Sequence, residues 1–124
     1  MNISIRYQQT RIKILIAFED EFRAYRQTLA ASLGILRPDA EVVTAGAHEI
    51  REVVERSGPD IVICSLPKED DADCVQVWIE LSLDPTRPTK VRVDGEYSEL
   101  INPTLDALLV IIDEVEQLIR TRDL

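Results

Sequence analysis

Hydrophobic and polar positions follow two different rhythms along this chain. In residues 11–67, nearly continuous apolar runs alternate with amphipathic stretches. Ile12, Ile14, Leu15, Ile16, Ala17 and Phe18 form the first run. A run with no polar position predicts a parallel strand covered on both faces. From Asp20 to Leu36, the residues Phe22, Tyr25, Arg26, Leu29, Leu33 and Leu36 fall at three-and-four spacing, which predicts a helix with one apolar face. Arg37-Pro38 ends it. Glu41 to Ala45 is a short second strand, and His48 to Ser57 a second helix with Ile50, Val53 and Val54 inward. Gly58 stands where a left-handed residue closes a helix. Ile61 to Leu66 is the third strand, completing a βαβαβ unit with right-handed crossovers.

After Pro67 the rhythm changes to alternation. Lys68 to Asp73, KEDDAD, is a charged loop. Val75 to Leu83 alternates, with Val75, Val77, Ile79, Leu81 and Leu83 on one side and Trp78 opposite. Lys90 to Val93 and Glu96 to Ile101 are two further strands, joined by the hairpin signal Asp94-Gly95. The closing helix takes Asn102 as N-cap and Pro103 as its first residue, and runs to Arg120. The expected fold is therefore α/β and three-layered: a parallel βαβαβ half, an antiparallel half containing all three later strands, and a C-terminal helix. It forms one domain over 1–124, with 1–10 as a short extension or an extra edge strand in which Ile3, Ile5 and Tyr7 alternate.

Composition narrows the function classes. The net charge is -9. Affinity for nucleic-acid backbones needs clustered Lys and Arg, so a nucleic-acid partner is not expected. No apolar run reaches the ~20 residues of a membrane span, and the first residues do not form a signal peptide. A cytoplasmic protein is expected. Cys64 lies in an apolar run and Cys74 after the acidic loop; two cysteines and one distant His make no zinc set.

Candidate chemistry gathers at the ends of the apolar strands, where open α/β sheets hold their ligands. Glu19 and Asp20 follow the first strand directly. They read either as a divalent-cation site, since hard cations favour carboxylates, or as acids complementing a helix N-terminus. The sequence AFEDEF there has no glycine-rich phosphate loop. Ser65 ends the third strand without a G-x-S-x-G elbow, and with His48 as the only histidine, no hydrolase constellation forms.

The segments ILIAFED, Ile14 to Asp20, and GPDIVICSLP, Gly58 to Pro67, resemble the first- and third-strand motifs of the receiver domain of bacterial two-component response regulators. The resemblance implies a flavodoxin-like fold, with Glu19 and Asp20 in the place of the acidic pair that binds magnesium. It places Ser65 where the phosphorylated aspartate stands, and nominates Ser82 and Lys90 for the hydroxyl and lysine that end the later strands. Loss of the aspartate implies a degenerate receiver, or pseudo-receiver, without phosphotransfer and without enzymatic activity.

The last helix carries more apolar surface than one packing face needs. Leu105, Leu108, Leu109, Ile112, Val115 and Ile119 form one stripe, while Leu108, Ile111, Val115 and Leu118 form a second. The second stripe, with Trp78 and Tyr97, is expected at an interface, either with a protein partner or as a homodimer. The leading expectation is a non-catalytic signalling and interaction domain. The alternative is a metal-dependent phosphoacceptor or small-molecule-binding regulatory domain using the acidic pair, with Mg2+ as its cofactor.

Overall fold

The computed structural model describes residues 11–65 and 75–122. A six-stranded mixed sheet carries three α-helices. The strands are β1 (Lys13–Phe18), β2 (Glu41–Gly46), β3 (Ile61–Cys64), β4 (Val77–Glu80), β5 (Pro88–Val93) and β6 (Glu96–Ile101). The helices are α1 (Arg23–Leu36), α2 (Ile50–Ser57) and α3 (Leu105–Arg122). The sheet order is β2-β1-β3-β4-β5-β6.

The first three strands pair in parallel as expected. The expectation for the fourth fails. β4 was placed in an antiparallel meander, yet it pairs parallel to β3, with Ile61 beside Val77 and Ile63 beside Ile79. Only β5 is reversed: it pairs antiparallel with both β4 and β6, so β6 again runs in the direction of β1 to β4. Alternation alone carries no information on strand direction, so the pattern of Val75 to Leu83 fits either sense. β4 is also shorter than that stretch, and Val75 packs with Trp78 rather than opposite it. The sheet thus departs from an all-parallel doubly wound arrangement at β5 and is extended by β6.

Successive crossovers put helices on opposite faces. α1 and α3 share one face. There Leu29, Leu33, Leu108, Leu109, Ile112 and Val115 pack on the side of β1 that carries Ile14, Ile16 and Phe18. α2 covers the other face, with Ile50, Val53 and Val54 against Leu15, Ala17, Val62 and Trp78. The helix ends follow local chemistry. Both α1 and α2 are preceded by 3-10 turns, Asp20–Phe22 and Ala47–Glu49. Gly58 adopts φ 56° and donates its N–H to the Val54 carbonyl, as a left-handed C-terminal glycine does. At α3 the cap is not Asn102: the Thr104 hydroxyl accepts the Ala107 N–H at 3.3 Å, and Asn102 takes the left-handed φ of 45°. Pro103 accordingly lies outside the helix. The hairpin expectation holds, because Asp94 and Gly95 have φ of 49° and 86°, the signs of a type I′ turn.

Two side-chain clips fix the layers. Arg26 donates to the carbonyls of Phe18 at 3.1 Å and Ala45 at 2.8 Å, tying the ends of β1 and β2 to α1. Arg37 makes a forked pair with Asp113, at 2.7 and 2.8 Å, which joins α1 to α3. The extension 1–10, the loop Lys68 to Asp73 and Cys74 lie outside the described residues. Cys64 is buried. Among the described residues, no helix is long and apolar enough to cross a membrane.

Candidate functional site

The carboxyl ends of β1, β3 and β4 open into a cleft of about 720 Å³. Its position is set by topology. The chain order reverses about β1, from β2 on one side to β3 on the other, and crevices at such a switch point lie outside the strands' carboxyl ends. Four of the nominated site residues line this cleft: Glu19, Ser65, Ser82 and Lys90. Asp20 does not. The chain turns into a 3-10 helix at Asp20, whose side chain faces solvent, while Glu21 and Phe22 swing back to line the cleft. The acidic pair is thus split.

Ser65 is engaged with the neighbouring strand end. Its hydroxyl oxygen accepts the Glu19 N–H at 3.1 Å, closing the gap between β1 and β3. Ser82 is engaged with the turn that follows it. Its hydroxyl donates to the Asp84 carbonyl at 2.9 Å, and its N–H donates to the hydroxyl of Thr89, a fully buried side chain. Asp84 accepts from the N–H and the hydroxyl of Thr86, at 2.9 and 2.7 Å. Those two bonds, and then the Arg87 guanidinium at 3.8 Å, hold its carboxyl below the usual range. Lys90 stands on β5 directly opposite Glu80 on β4.

The lining is therefore mixed. Glu19, Glu21, Glu80 and Asp84 face Arg87 and Lys90, with Phe22, Leu81 and Leu83 as apolar wall. Excess negative charge opposes a phosphate or pyrophosphate. Among the described residues, no three His, Cys, Asp or Glu groups stand together so as to hold a metal ion. His48 lies on the Ala47–Glu49 turn and does not line the cleft, so Ser65 has no imidazole base beside it there.

Sequence reasoning missed Glu21, Glu80, Asp84 and Arg87. Glu80 was legible only through strand register. Asp84 and Arg87 come from the turn after β4, whose Asp-Pro-Thr-Arg sequence signals a turn but not which wall it forms. The expected interface residues divide. Leu108, Val115 and Trp78 are buried inside this one chain, so none of them presents a surface to a partner. Ile111 is half-buried against the core, while Leu118 and Tyr97 are exposed, at 40% and 60%. The second stripe of α3 is thus largely the same face as the first, because 3.6 residues per turn brings the heptad positions Leu108 and Val115 back onto the sheet. A scan against protein-family models, a search of curated proteins and a search of solved structures each returned no match.

Proposed function

We propose that this chain is a non-catalytic, receiver-like signalling domain that works through protein contacts, self-association among them, without a phosphorylation switch. One observation carries the reading. At the end of β3, where a receiver places its phosphoacceptor, Ser65 offers a hydroxyl already accepting the Glu19 N–H, and the acids beside it diverge. A serine adds no charge to a cation site and does not attack small phosphodonors as a carboxylate does. The parallel part, β2-β1-β3-β4, is what the sheet shares with a flavodoxin-type order; the full order β2-β1-β3-β4-β5-β6 departs from it, with β5 reversed and β6 added. The compartment proposed is the cytoplasm, in keeping with the low pI of about 4.6 and a buried Cys64.

The test is an amide NMR titration of the full chain with magnesium, then with beryllofluoride as a phosphoryl mimic. The reading predicts no saturable shifts at Glu19, Glu21 or Ser65. Saturable shifts clustered there refute it. In a companion experiment, Ser65→Asp adds a third carboxylate, and calorimetry should then register magnesium binding that the wild type lacks.

The cleft itself favours a second reading, a small-molecule-binding regulatory domain. An open space of about 720 Å³ at strand carboxyl ends, with charged groups of both signs and an apolar wall, is a suitable size for a small ligand. Metabolite-sized amines and carboxylates are the compounds to screen, with shifts at Glu19, Ser82 and Lys90 as the readout.

A further inference from the structure

β6 closes one end of the sheet, and among the described residues no strand lies beyond it. Such edges are usually blunted by proline, charged side chains or a bulge, and of the charges on β6 only Glu99 lies in its outward row, where a pairing strand must match it. β6, EYSELI, has neither Pro nor Lys, and its pairing with β5 is unbroken from Glu96 to Ile101. The other edge, β2, differs: its last N–H, on Gly46, is taken by the Glu49 carboxylate at 2.9 Å.

The hairpin fixes which backbone groups face outward. In a two-residue type I′ hairpin, the residues flanking the loop exchange both hydrogen bonds, so Val93 pairs inward with Glu96. Inward and outward residues then alternate. Glu96, Ser98 and Leu100 bond to β5, leaving the N–H and C=O of Tyr97, Glu99 and Ile101 directed outward. The side chains of these three also share a face, opposite Arg92, Lys90 and Pro88 respectively. Tyr97 and Ile101 are exposed at 60% and 73%.

We propose that β6 pairs antiparallel with β6 of a second copy of this chain, with Ser98 on the two-fold axis, forming one continuous twelve-stranded sheet. The inference rests on the self-association reading above and adds its geometry. Charge selects the register. With Ser98 on the axis, Tyr97 stands opposite Glu99 of the second copy. The row across the sheet then runs Trp78, Arg92, Tyr97, followed by Glu99, Lys90 and Glu80 of the second copy. Each acid in that row has a cation or a phenol beside it, and opposite-charge and aromatic neighbours stabilise cross-strand pairs. The Tyr97 hydroxyl, which donates to Glu99 of its own strand at 3.2 Å, meets an equivalent carboxylate directly across the axis. Placing Glu99 on the axis instead sets Glu99 against Glu99, a destabilising like-charge pair. Placing Tyr97 on the axis shortens the paired stretch to Glu96–Ser98, whereas Ser98 there keeps Glu96–Leu100 paired.

The test uses the full chain in sedimentation equilibrium over a concentration series. The wild type should show a reversible dimer. Glu99→Pro removes an outward N–H on an edge strand, where proline is tolerated. It should weaken the dimer roughly tenfold or more, since two symmetry-related hydrogen bonds are lost, with unchanged circular dichroism. Ser98→Cys, in a Cys74→Ser background, should oxidise to a disulfide-linked dimer, because residues facing each other in a non-hydrogen-bonded pair are close enough to bridge. Glu99→Cys should not. The cysteine variants read the same interface without a proline, so misfolding of Glu99→Pro leaves the register testable. A single-chain mass at every concentration overturns both the pairing and the self-association reading. A dimer that survives Glu99→Pro, resists cross-linking at Ser98 and dissociates on Leu118→Asp overturns the edge pairing alone and moves the interface to α3.

Discussion

In β3 all four residues are buried, whereas in β6 Leu100 alone is even partly covered. The two strands belong to one sheet but do different work. β3 sits between β1 and β4, under α2 on one face and the α1/α3 layer on the other. Its apolar side chains lose water on both sides, and burial of this kind is the main favourable term in folding. Among the described residues β6 has one neighbouring strand, and an outer face of Tyr97, Glu99 and Ile101. It contributes little to the core and leaves hydrogen-bonding groups facing outward. The parallel end holds the fold together, and the antiparallel end is where the contact is proposed.

That contrast is sharpest in its energetics. Phe18→Ala at the end of β1 removes a fully buried ring that also packs 5.6 Å from Tyr25. It should cost about 3–5 kcal/mol in urea unfolding. A loss below about 1 kcal/mol would mean that the parallel end is not the core. Gly58→Ala comes next. No atom lies near the added methyl, so its cost is the left-handed φ of 56° alone, about 1–2 kcal/mol. At the other end, Tyr97→Ser should change the stability of the dilute protein by no more than about 0.5 kcal/mol, since the ring is 60% exposed, while still weakening the dimer.

The pH dependence gives a smaller effect in the helical layer. The hydrogen bond from Arg37 holds the Asp113 carboxyl below its ordinary range. A group whose folded pKa is depressed adds stability above its unfolded pKa and loses it as pH falls through the folded one. Asp60 has the opposite sign. Burial pushes its carboxyl up, although the Lys13 N–H at 2.8 Å partly opposes this. Its ionisation therefore costs stability as pH rises from the unfolded to the folded value. Asp113→Asn should thus flatten the acid limb of a urea-midpoint profile, and Asp60→Asn should steepen it. The reverse pair of outcomes would contradict both assignments.

Much of the parallel end was legible in the sequence because burial on two faces leaves a continuous apolar run. Ile12 to Phe18 and Ile61 to Cys64 could hardly be read otherwise. The Gly58 stop and the Asp94-Gly95 hairpin were legible because each demands a left-handed backbone. The direction of β4 was not, since alternation is the same in parallel and antiparallel strands. The cap of α3 was misplaced by two residues because Asn102 and Thr104 are both good caps, and only the chain path from β6 chooses between them. Glu19, Ser65, Ser82 and Lys90 line one cleft because each stands at or beside the carboxyl end of β1, β3 or β4. Asp20 was lost to a 3-10 turn that no pattern announces, and Glu80 and Arg87 joined the cleft through register and turn geometry. The surplus stripe on α3 was misread because heptad spacing on one short helix overlaps its packing face.

The central claim is that this domain associates through its surface and that its cleft does not switch the association. Sedimentation equilibrium of the full chain, with and without magnesium and beryllofluoride, tests it most directly. The account predicts a reversible dimer whose dissociation constant is the same in both conditions. A chain that stays monomeric, or that dimerises only when both reagents are present, would contradict it.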